Sequence, residues 1–192
     1  MSRILVIAML AMLGVASAWL IRQPELRAST GEDDPETGAV KPATAPEFPA
    51  GGEWLQSKPL KLADLRGRVV VVHFWTFGCI NCIHNYPVHK GWYEKYADKD
   101  VTIIGVHTPE FDHEAKATRV EAKARDNGLK FPIVVDNDHA IWKRWQNQYW
   151  PSIYLVDRKG QIRYRWEGEL HLSESAGRKF AAHVDELLAE KQ

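Results

Sequence analysis

The pattern of hydrophobic and polar positions divides the chain into three parts. Residues 4–21 are uncharged and mostly apolar, whereas residues 22–52 are rich in proline, threonine, alanine and acidic side chains. From residue 53 onward, short β-branched runs alternate with amphipathic stretches. This pattern predicts a signal peptide or N-terminal membrane anchor at residues 1–21, a disordered linker at residues 22–52 and one folded domain at residues 53–192.

The first part carries the features of an export signal. Arg3 precedes the apolar run, and residues 16–18 form an Ala-Ser-Ala cleavage pattern. The run is also just long enough to cross a bilayer as an uncleaved anchor, so cleavage and tethering through residues 4–21 both stay open. In either case the preceding positive charge directs the rest of the chain outward. The sequence therefore predicts a location in the periplasm or at the extracytoplasmic face of a membrane.

The third part predicts an α/β fold. Three β-branched runs are typical of buried strands, at residues 68–75, 101–107 and 133–136. Helices are predicted at residues 79–96 with a kink at Pro87, 112–127, 139–146 and 173–191. Residues 152–157 and 161–166 predict an antiparallel hairpin. Strands that alternate with helices and end in a hairpin and a helix indicate the α/β class.

Composition adds little to this picture. The chain has 25 basic and 25 acidic residues, so its formal net charge is zero. Hydrophobic residues make up 45% and charged residues 26%, which is ordinary for a soluble globular domain. This balance gives no reason to expect nucleic acid or an acidic surface as a partner.

The two cysteines supply the candidate chemistry. Cys79 and Cys82 form a C-x-x-C pair between a predicted buried strand and a predicted helix. A sulfur at the start of a helix lies beside unpaired backbone N–H groups, which stabilise a thiolate. An exported protein would often use two cysteines as a structural bridge. However, a loop of two residues removes little chain entropy, so the pair is better suited to thiol–disulfide exchange.

An ordered set of motifs resembles the thioredoxin superfamily, and within it the exported TlpA-like and redoxin-type proteins. The set consists of a strand ending in Phe74-Trp75, the Cys79–Cys82 pair, Pro87 in the following helix, and Trp150-Pro151-Ser152 before a later strand. The Trp-Thr-x-x-Cys-Ile-Asn-Cys string also resembles the thioredoxin-like domain of DipZ-type cytochrome-maturation proteins. The resemblance implies a thioredoxin-like fold, with a central mixed β-sheet flanked by helices and closed by a C-terminal β-hairpin and helix.

The resemblance also implies roles for individual residues. Cys79 is the expected nucleophile, and Cys82 is expected to resolve the mixed disulfide. Pro151 is expected to be cis and to pack against the disulfide, while the backbone of Trp150 pairs with the substrate. His73 stands where classical thioredoxins have a buried aspartate. It is interpreted either as a proton acceptor for Cys82 through a water molecule or, in preference, as a hydrogen-bonded core histidine.

Aromatic residues near the motif suggest a substrate surface. Trp75, Phe77 and Trp150 are candidates for an apolar collar around the thiols, although Trp75 also fits the core because it ends a buried strand. Gly78 departs from the family pattern, which usually has tryptophan just before the first cysteine. This departure leaves the expected fold unchanged and bears on the redox potential and the substrate.

The resemblance implies a thiol–disulfide oxidoreductase that has no organic cofactor beyond its redox-active disulfide. The expected partners are a cysteine-containing exported protein and a membrane thiol redox partner, with cell-envelope redox homeostasis or cytochrome c maturation as the setting. One alternative is a copper- or zinc-binding metallochaperone, whose ligands would be the two cysteines with His84, His107 or His113. Another is a thiol peroxidase, because Thr76 lies three positions before Cys79.

Overall fold

The protein's structure is a computed structural model that describes residues 33–34 and 37–191. The predicted signal peptide or membrane anchor at residues 1–21 lies outside this range. Within it, no helix is both long and apolar enough to cross a membrane.

One mixed β-sheet of seven strands organises the described residues. The strands follow each other in space in the order β1-β7-β6-β3-β4-β5-β2. In chain order they are β1 (Ala39–Thr44), β2 (Glu53–Leu55), β3 (Val69–Trp75), β4 (Val101–His107), β5 (Ile133–Val135), β6 (Ser152–Val156) and β7 (Gln161–Glu167). Strands β3, β4 and β5 are parallel, and the remaining pairings are antiparallel.

In the part of the chain that the structure describes, five α-helices and two short 3₁₀ helices connect or cover the strands. The α-helices are α1 (Ile80–His84), α2 (Tyr86–Lys95), α3 (Ala117–Asp126), α4 (Ala140–Arg144) and α5 (Ser175–Ala189). The 3₁₀ helices span Leu62–Leu65 and Asp112–Glu114. The architecture confirms the predicted α/β class, including the closing hairpin β6–β7 and the C-terminal helix.

Strand β3 is the centre of the sheet. All seven of its residues are buried, and it pairs with β4 on one side and β6 on the other. Alternate residues of the strand face two separate hydrophobic clusters. Val71 and Trp75 join α2, α3 and α5 in one cluster, while Val72 and Phe74 join α4 and the segment before β2 in the other. A strand covered on both faces requires the continuous apolar run seen in the sequence.

The predicted boundary at residue 53 needs correction. Strand β1 lies inside the range expected to be a disordered linker and pairs with β7 at the edge of the sheet. Ala45 and Phe48 of the same range are buried. The prolines of this segment suggested a linker, but proline is tolerated on an edge strand, where one side of the ladder is unpaired. The folded unit therefore includes residues that precede residue 53.

The predicted helix at residues 79–96 is divided in two. Helix α1 ends at His84, and α2 begins at Tyr86, with Asn85 between them. Pro87 follows within the first turn of α2, where its missing N–H costs nothing. Asn85 is buried, and its side-chain amide donates to the Gly168 carbonyl and accepts from the Leu170 N–H.

Candidate active site

The two thiols lie where several strands end. Strands β3 and β4 run parallel, so the segments that follow them emerge at the same edge of the sheet. Strand β6 runs antiparallel to β3 and pairs Ser152 with Phe74, so the start of β6 lies beside the end of β3. This topology brings the Cys79–Cys82 segment, Thr108 and the Trp150–Pro151 peptide together.

Cys79 occupies the N-cap position of α1. Its sulfur accepts a hydrogen bond from the Cys82 backbone N–H at 3.4 Å and lies 3.9 Å from the Trp150 carbonyl oxygen. The residue is partly buried and carries a free thiol. These contacts confirm that the sulfur lies at the helix start, and they leave it accessible to a second protein.

The surroundings of Cys79 favour its thiolate. A hydrogen bond from the Cys82 thiol is the main cause that lowers the pKa of Cys79 to about 6, and it outweighs the partial burial of the sulfur, which acts in the opposite direction. The backbone N–H groups of Cys82 and Asn81 lower the pKa further. A thiol with a pKa of about 6 is mostly ionised at neutral pH, as a nucleophile requires.

Cys82 has the opposite character. The residue is fully buried, and this desolvation, together with the hydrogen bond to Cys79, raises the pKa of its thiol. Glu114 raises the pKa of Cys82 as well. The second thiol therefore stays protonated until a proton acceptor helps it to react.

The Trp150–Pro151 peptide bond is cis, which confirms the geometry predicted for Pro151. Trp150 is partly exposed, and its indole N–H donates to the Thr108 carbonyl at 3.0 Å. Its ring also packs on Trp142, with ring centroids 4.1 Å apart. The Trp150 backbone is thus held beside the Cys79 sulfur, and its predicted pairing with a substrate strand stays a prediction.

The structure buries two of the three candidates for the aromatic collar. Trp75 is fully buried and packs edge-on against Tyr86 and His107, so it belongs to the core. Phe77 is only 8% exposed and stacks on His107. Of the three aromatic candidates, only Trp150 exposes an appreciable part of its side chain. The side chains of β3 and of the turn after it point inward because both faces of this central strand are covered.

His73 is fully buried and stacks on His89, with ring centroids 3.7 Å apart. Neither ring nitrogen has a hydrogen-bond partner among the described residues. Burial, reinforced by His89, lowers the pKa of His73 well below the usual value. The structure thus places His73 in the core, and no hydrogen bond in the described part of the chain supports its predicted role as proton acceptor for Cys82.

One buried acid beside the motif was not anticipated. Glu114 is fully buried, and a Cβ atom on residue 78 would overlap its Oε1 atom. The sequence offered one signal, since Gly78 stands where the family usually has tryptophan. However, nothing in the pattern showed that this glycine makes room for a carboxylate from a segment beyond β4.

The metal-binding alternative has no geometric observation in its favour. No group of three or more histidine, cysteine or acidic side chains in residues 33–34 and 37–191 is arranged to hold a metal ion. His84 and His113 are exposed, whereas His107 is buried and bonds through Nε2 to the Thr76 hydroxyl at 3.3 Å.

Comparison with known proteins agrees with this geometry. The profile of the AhpC/TSA family matches residues 43–165. The chain belongs to this family. A solved thioredoxin-like superfamily protein superimposes with a TM-score of 0.68 at 28% sequence identity, covering 77% of this chain and 97% of that structure. The fold is therefore thioredoxin-like, as the sequence resemblance implied.

Two relatives with known names are similar to this chain in sequence. The chain is 39% identical over 141 residues to the protein DipZ of Mycobacterium bovis, covering 71% of this chain and 20% of DipZ. It is 27% identical to the thiol-disulfide oxidoreductase YkuV of Bacillus subtilis, covering 62% of this chain and 80% of YkuV. The chain thus spans about a fifth of DipZ and most of YkuV. The name of the latter supports the prediction that this chain is an oxidoreductase.

Proposed function

We propose that the chain is a dithiol–disulfide oxidoreductase that exchanges the Cys79–Cys82 pair with cysteines of exported proteins. The observation that carries the proposal is the contrast between the two sulfurs. Cys79 is accessible and has a lowered pKa, whereas Cys82 is buried and has a raised pKa. This contrast supports attack by Cys79 and resolution by Cys82.

The exchange proceeds in two displacements. The Cys79 thiolate attacks a disulfide of the substrate, so that one substrate sulfur leaves as a thiolate and the other is joined to Cys79. Cys82 then loses its proton and attacks the Cys79 sulfur, which forms the Cys79–Cys82 disulfide and releases the second substrate thiolate. Two electrons pass to the substrate in this direction, and the same steps in reverse oxidise a substrate dithiol.

The lowered pKa of Cys79 sets an expectation for the redox potential. A pKa of about 6 lies between the values of roughly 7 for thioredoxin and roughly 3.5 for DsbA. Stabilising the thiolate stabilises the reduced form, so we expect a potential between about −270 mV and about −120 mV. A protein in this range needs a stronger membrane thiol reductant to act as a disulfide reductase.

The surface around Cys79 suits an unfolded, cysteine-containing segment. Four large apolar side chains of this region are exposed: Ile80, Ile83, Phe111 and Tyr149. The first two lie on α1, and Tyr149 precedes the Trp150 carbonyl that approaches the Cys79 sulfur. Exposed apolar side chains beside the Trp150 carbonyl fit a partner whose cysteines have not yet been buried.

The export features of residues 1–21 support an extracytoplasmic site of action, where a retained residue 4–21 segment would tether the domain to the membrane. Within that setting, the resemblance to DipZ favours reduction of cysteine pairs during cytochrome c maturation as the specific task. The electron donor would then be a membrane thiol redox partner.

Insulin reduction by the full-length protein tests the proposal. We expect dithiothreitol-dependent reduction that Cys79→Ser abolishes and that Cys82→Ser replaces with an accumulating mixed disulfide. His113→Gln is the control, because this exposed histidine is near the motif and has no part in the exchange. Insulin reduction that persists in Cys79→Ser would contradict the proposal.

The thiol peroxidase alternative has weaker support. The hydroxyl of Thr76 is buried and bonds to His107 instead of to Cys79. No cationic side chain is among the groups that lower the pKa of Cys79. Hydrogen peroxide consumption by the reduced protein, at a rate above that of the Cys79→Ser variant, would favour this alternative.

A further inference from the structure

Glu114 occupies a position that depends on Gly78. Its side chain is fully buried, and its Oε1 atom lies where a Cβ atom of residue 78 would be. Any other residue at position 78 would therefore displace the carboxylate. Because residue 78 directly precedes the nucleophile Cys79, this contact places Glu114 against the active-site segment itself.

The two carboxylate oxygens of Glu114 differ in their bonding. Oε2 accepts hydrogen bonds from the backbone N–H groups of Glu110 at 2.7 Å and Phe111 at 3.2 Å. Oε1 is buried and has no hydrogen-bond partner among the described residues. A buried acceptor without a donor is costly, and in native proteins such atoms call for a functional explanation. Oε2 holds the side chain in place, while Oε1 faces residue 78 without a hydrogen-bond donor among the described residues.

Glu114 belongs to a buried polar cluster with Cys82, Tyr86 and His107. The Tyr86 hydroxyl and His107 Nδ1 are also buried without a hydrogen-bond partner in the described part of the chain. Burial is the largest influence on the pKa of each of the other three groups: it raises the pKa values of Cys82 and Tyr86 and lowers that of His107. The negative charge of Glu114 raises all three pKa values, so at His107 it partly offsets burial. The Glu114 carboxylate thus acts on three buried polar groups behind the accessible sulfur of Cys79.

Attack by Cys82 on the mixed disulfide requires a proton acceptor for its thiol. Burial raises the pKa of the Cys82 thiol, so bulk water is a poor acceptor for its proton. We infer that Glu114 accepts the proton of Cys82 as this thiol attacks the mixed disulfide, and returns it when the pair is reduced. This inference rests on the proposed function and adds the identity of the proton acceptor.

The attack of Cys82 on the mixed disulfide moves one proton and one electron pair. The S–H bond of Cys82 breaks, its proton passes to the Glu114 carboxylate, and its electron pair forms the bond to the Cys79 sulfur. The bond between Cys79 and the substrate breaks, and the departing substrate thiolate takes its proton from solvent. Oxidation of two thiols to one disulfide is matched by reduction of the substrate disulfide.

Glu114 fits this role better than His73. Glu114 contacts residue 78 and acts on the pKa of Cys82, whereas the ring of His73 stacks on His89. Burial also lowers the pKa of His73 well below its usual value, which makes it a weak proton acceptor. Classical thioredoxins have a buried aspartate at the position of His73, whereas in this chain the buried acid lies on the 3₁₀ helix after β4.

Reaction of the reduced full-length protein with 5,5′-dithiobis(2-nitrobenzoate) tests the inference, since it separates the two steps. Attack by Cys79 releases the first nitrothiolate, and resolution by Cys82 releases the second. In Glu114→Gln, the first release should stay within about twofold of wild type, and the second should slow by about 100-fold at pH 7, as expected for a lost proton acceptor. The second release should recover toward wild type as hydroxide replaces the acceptor at higher pH.

Two further variants complete the test. Asp112→Asn is the matched control, because it removes an exposed carboxylate from the same 3₁₀ helix and should leave both releases unchanged. Gly78→Ala keeps the carboxylate but forces it away, so it should slow the second release like Glu114→Gln, even if Glu114→Gln folds poorly.

Three outcomes distinguish the role of Glu114 from the proposed function. A selective loss of the second release in Glu114→Gln and Gly78→Ala supports the inference. Equal rates in wild type and these variants, or equal slowing of both releases, overturn it while the proposed function stands. No Cys79-dependent release from the wild-type protein overturns the proposed function, and the role of Glu114 with it.

Discussion

Two residues separate Cys79 from Cys82 in the sequence, yet their surroundings drive their pKa values in opposite directions. The C-x-x-C spacing predicted which sulfur begins the helix and which lies inside it. The spacing did not predict that the hydrogen bond from the Cys82 thiol has the largest effect on the pKa of Cys79. That bond depends on the orientation of one side chain, which spacing alone does not determine.

This thiol–thiol hydrogen bond leads to a prediction at the residue scale. Cys82→Ala removes the donor, so the pKa of Cys79 should rise from about 6 by about 1 to 2 units, the equivalent of one hydrogen bond to a charged group. Cys82→Ser keeps a donor and should raise it less. The pH dependence of iodoacetamide alkylation measures both. An unchanged midpoint in Cys82→Ala would show that the backbone N–H groups alone stabilise the thiolate.

At the scale of elements, the strands buried on both faces were predictable, and the edge strand was not. The predicted bounds of β4 agree with the structure, because a short run rich in β-branched residues favours a strand that is covered on both faces. Strand β1 contains Pro42, is mostly exposed, and has an irregular register opposite β7. Such a strand is stabilised by long-range pairing, so its own sequence resembles a linker.

The segment that follows β1 is expected to contribute strongly to stability. Phe48 packs between Trp54 and Trp145, with ring centroids at 5.5 Å and 6.2 Å, and it is only 5% exposed. Phe48→Ala should lower the free energy of unfolding by about 3 kcal/mol, the cost of emptying a buried aromatic site. Phe111→Ala, which truncates an exposed ring, should lower it by less than about 0.5 kcal/mol. Urea denaturation of the full-length variants measures both, and similar losses would place Phe48 outside the core.

At the scale of the whole molecule, the sheet face that carries the active site also buries three histidines without charge. Burial lowers the pKa of His73 well below its usual value, that of His89 to about 3 and that of His107 to about 4. In the unfolded chain the same residues have pKa values near 6.5. The unfolded state therefore binds more protons than the folded state once the pH falls below about 6.5, so stability falls with it. The raised pKa of Asp136 has the opposite effect on the pH dependence of stability, but it comes from one group only.

Acid sensitivity is therefore expected of the fold as a whole. Between pH 7 and pH 5, each buried histidine should lower the free energy of unfolding by roughly 1 to 2 kcal/mol. The reason is that its ring binds a proton in the unfolded state but stays neutral in the folded state. His89→Leu should remove less than a third of this pH dependence, because the Cys79 thiolate, whose pKa is about 6, also loses its stabilising effect between pH 7 and pH 5. The exposed His113→Gln should leave the pH dependence unchanged. Urea denaturation at the two pH values measures the difference. Equal free energies at pH 7 and pH 5 would mean that the buried rings find proton-sharing partners in the folded state, and that the cluster beside the active site is more polar than its packing indicates.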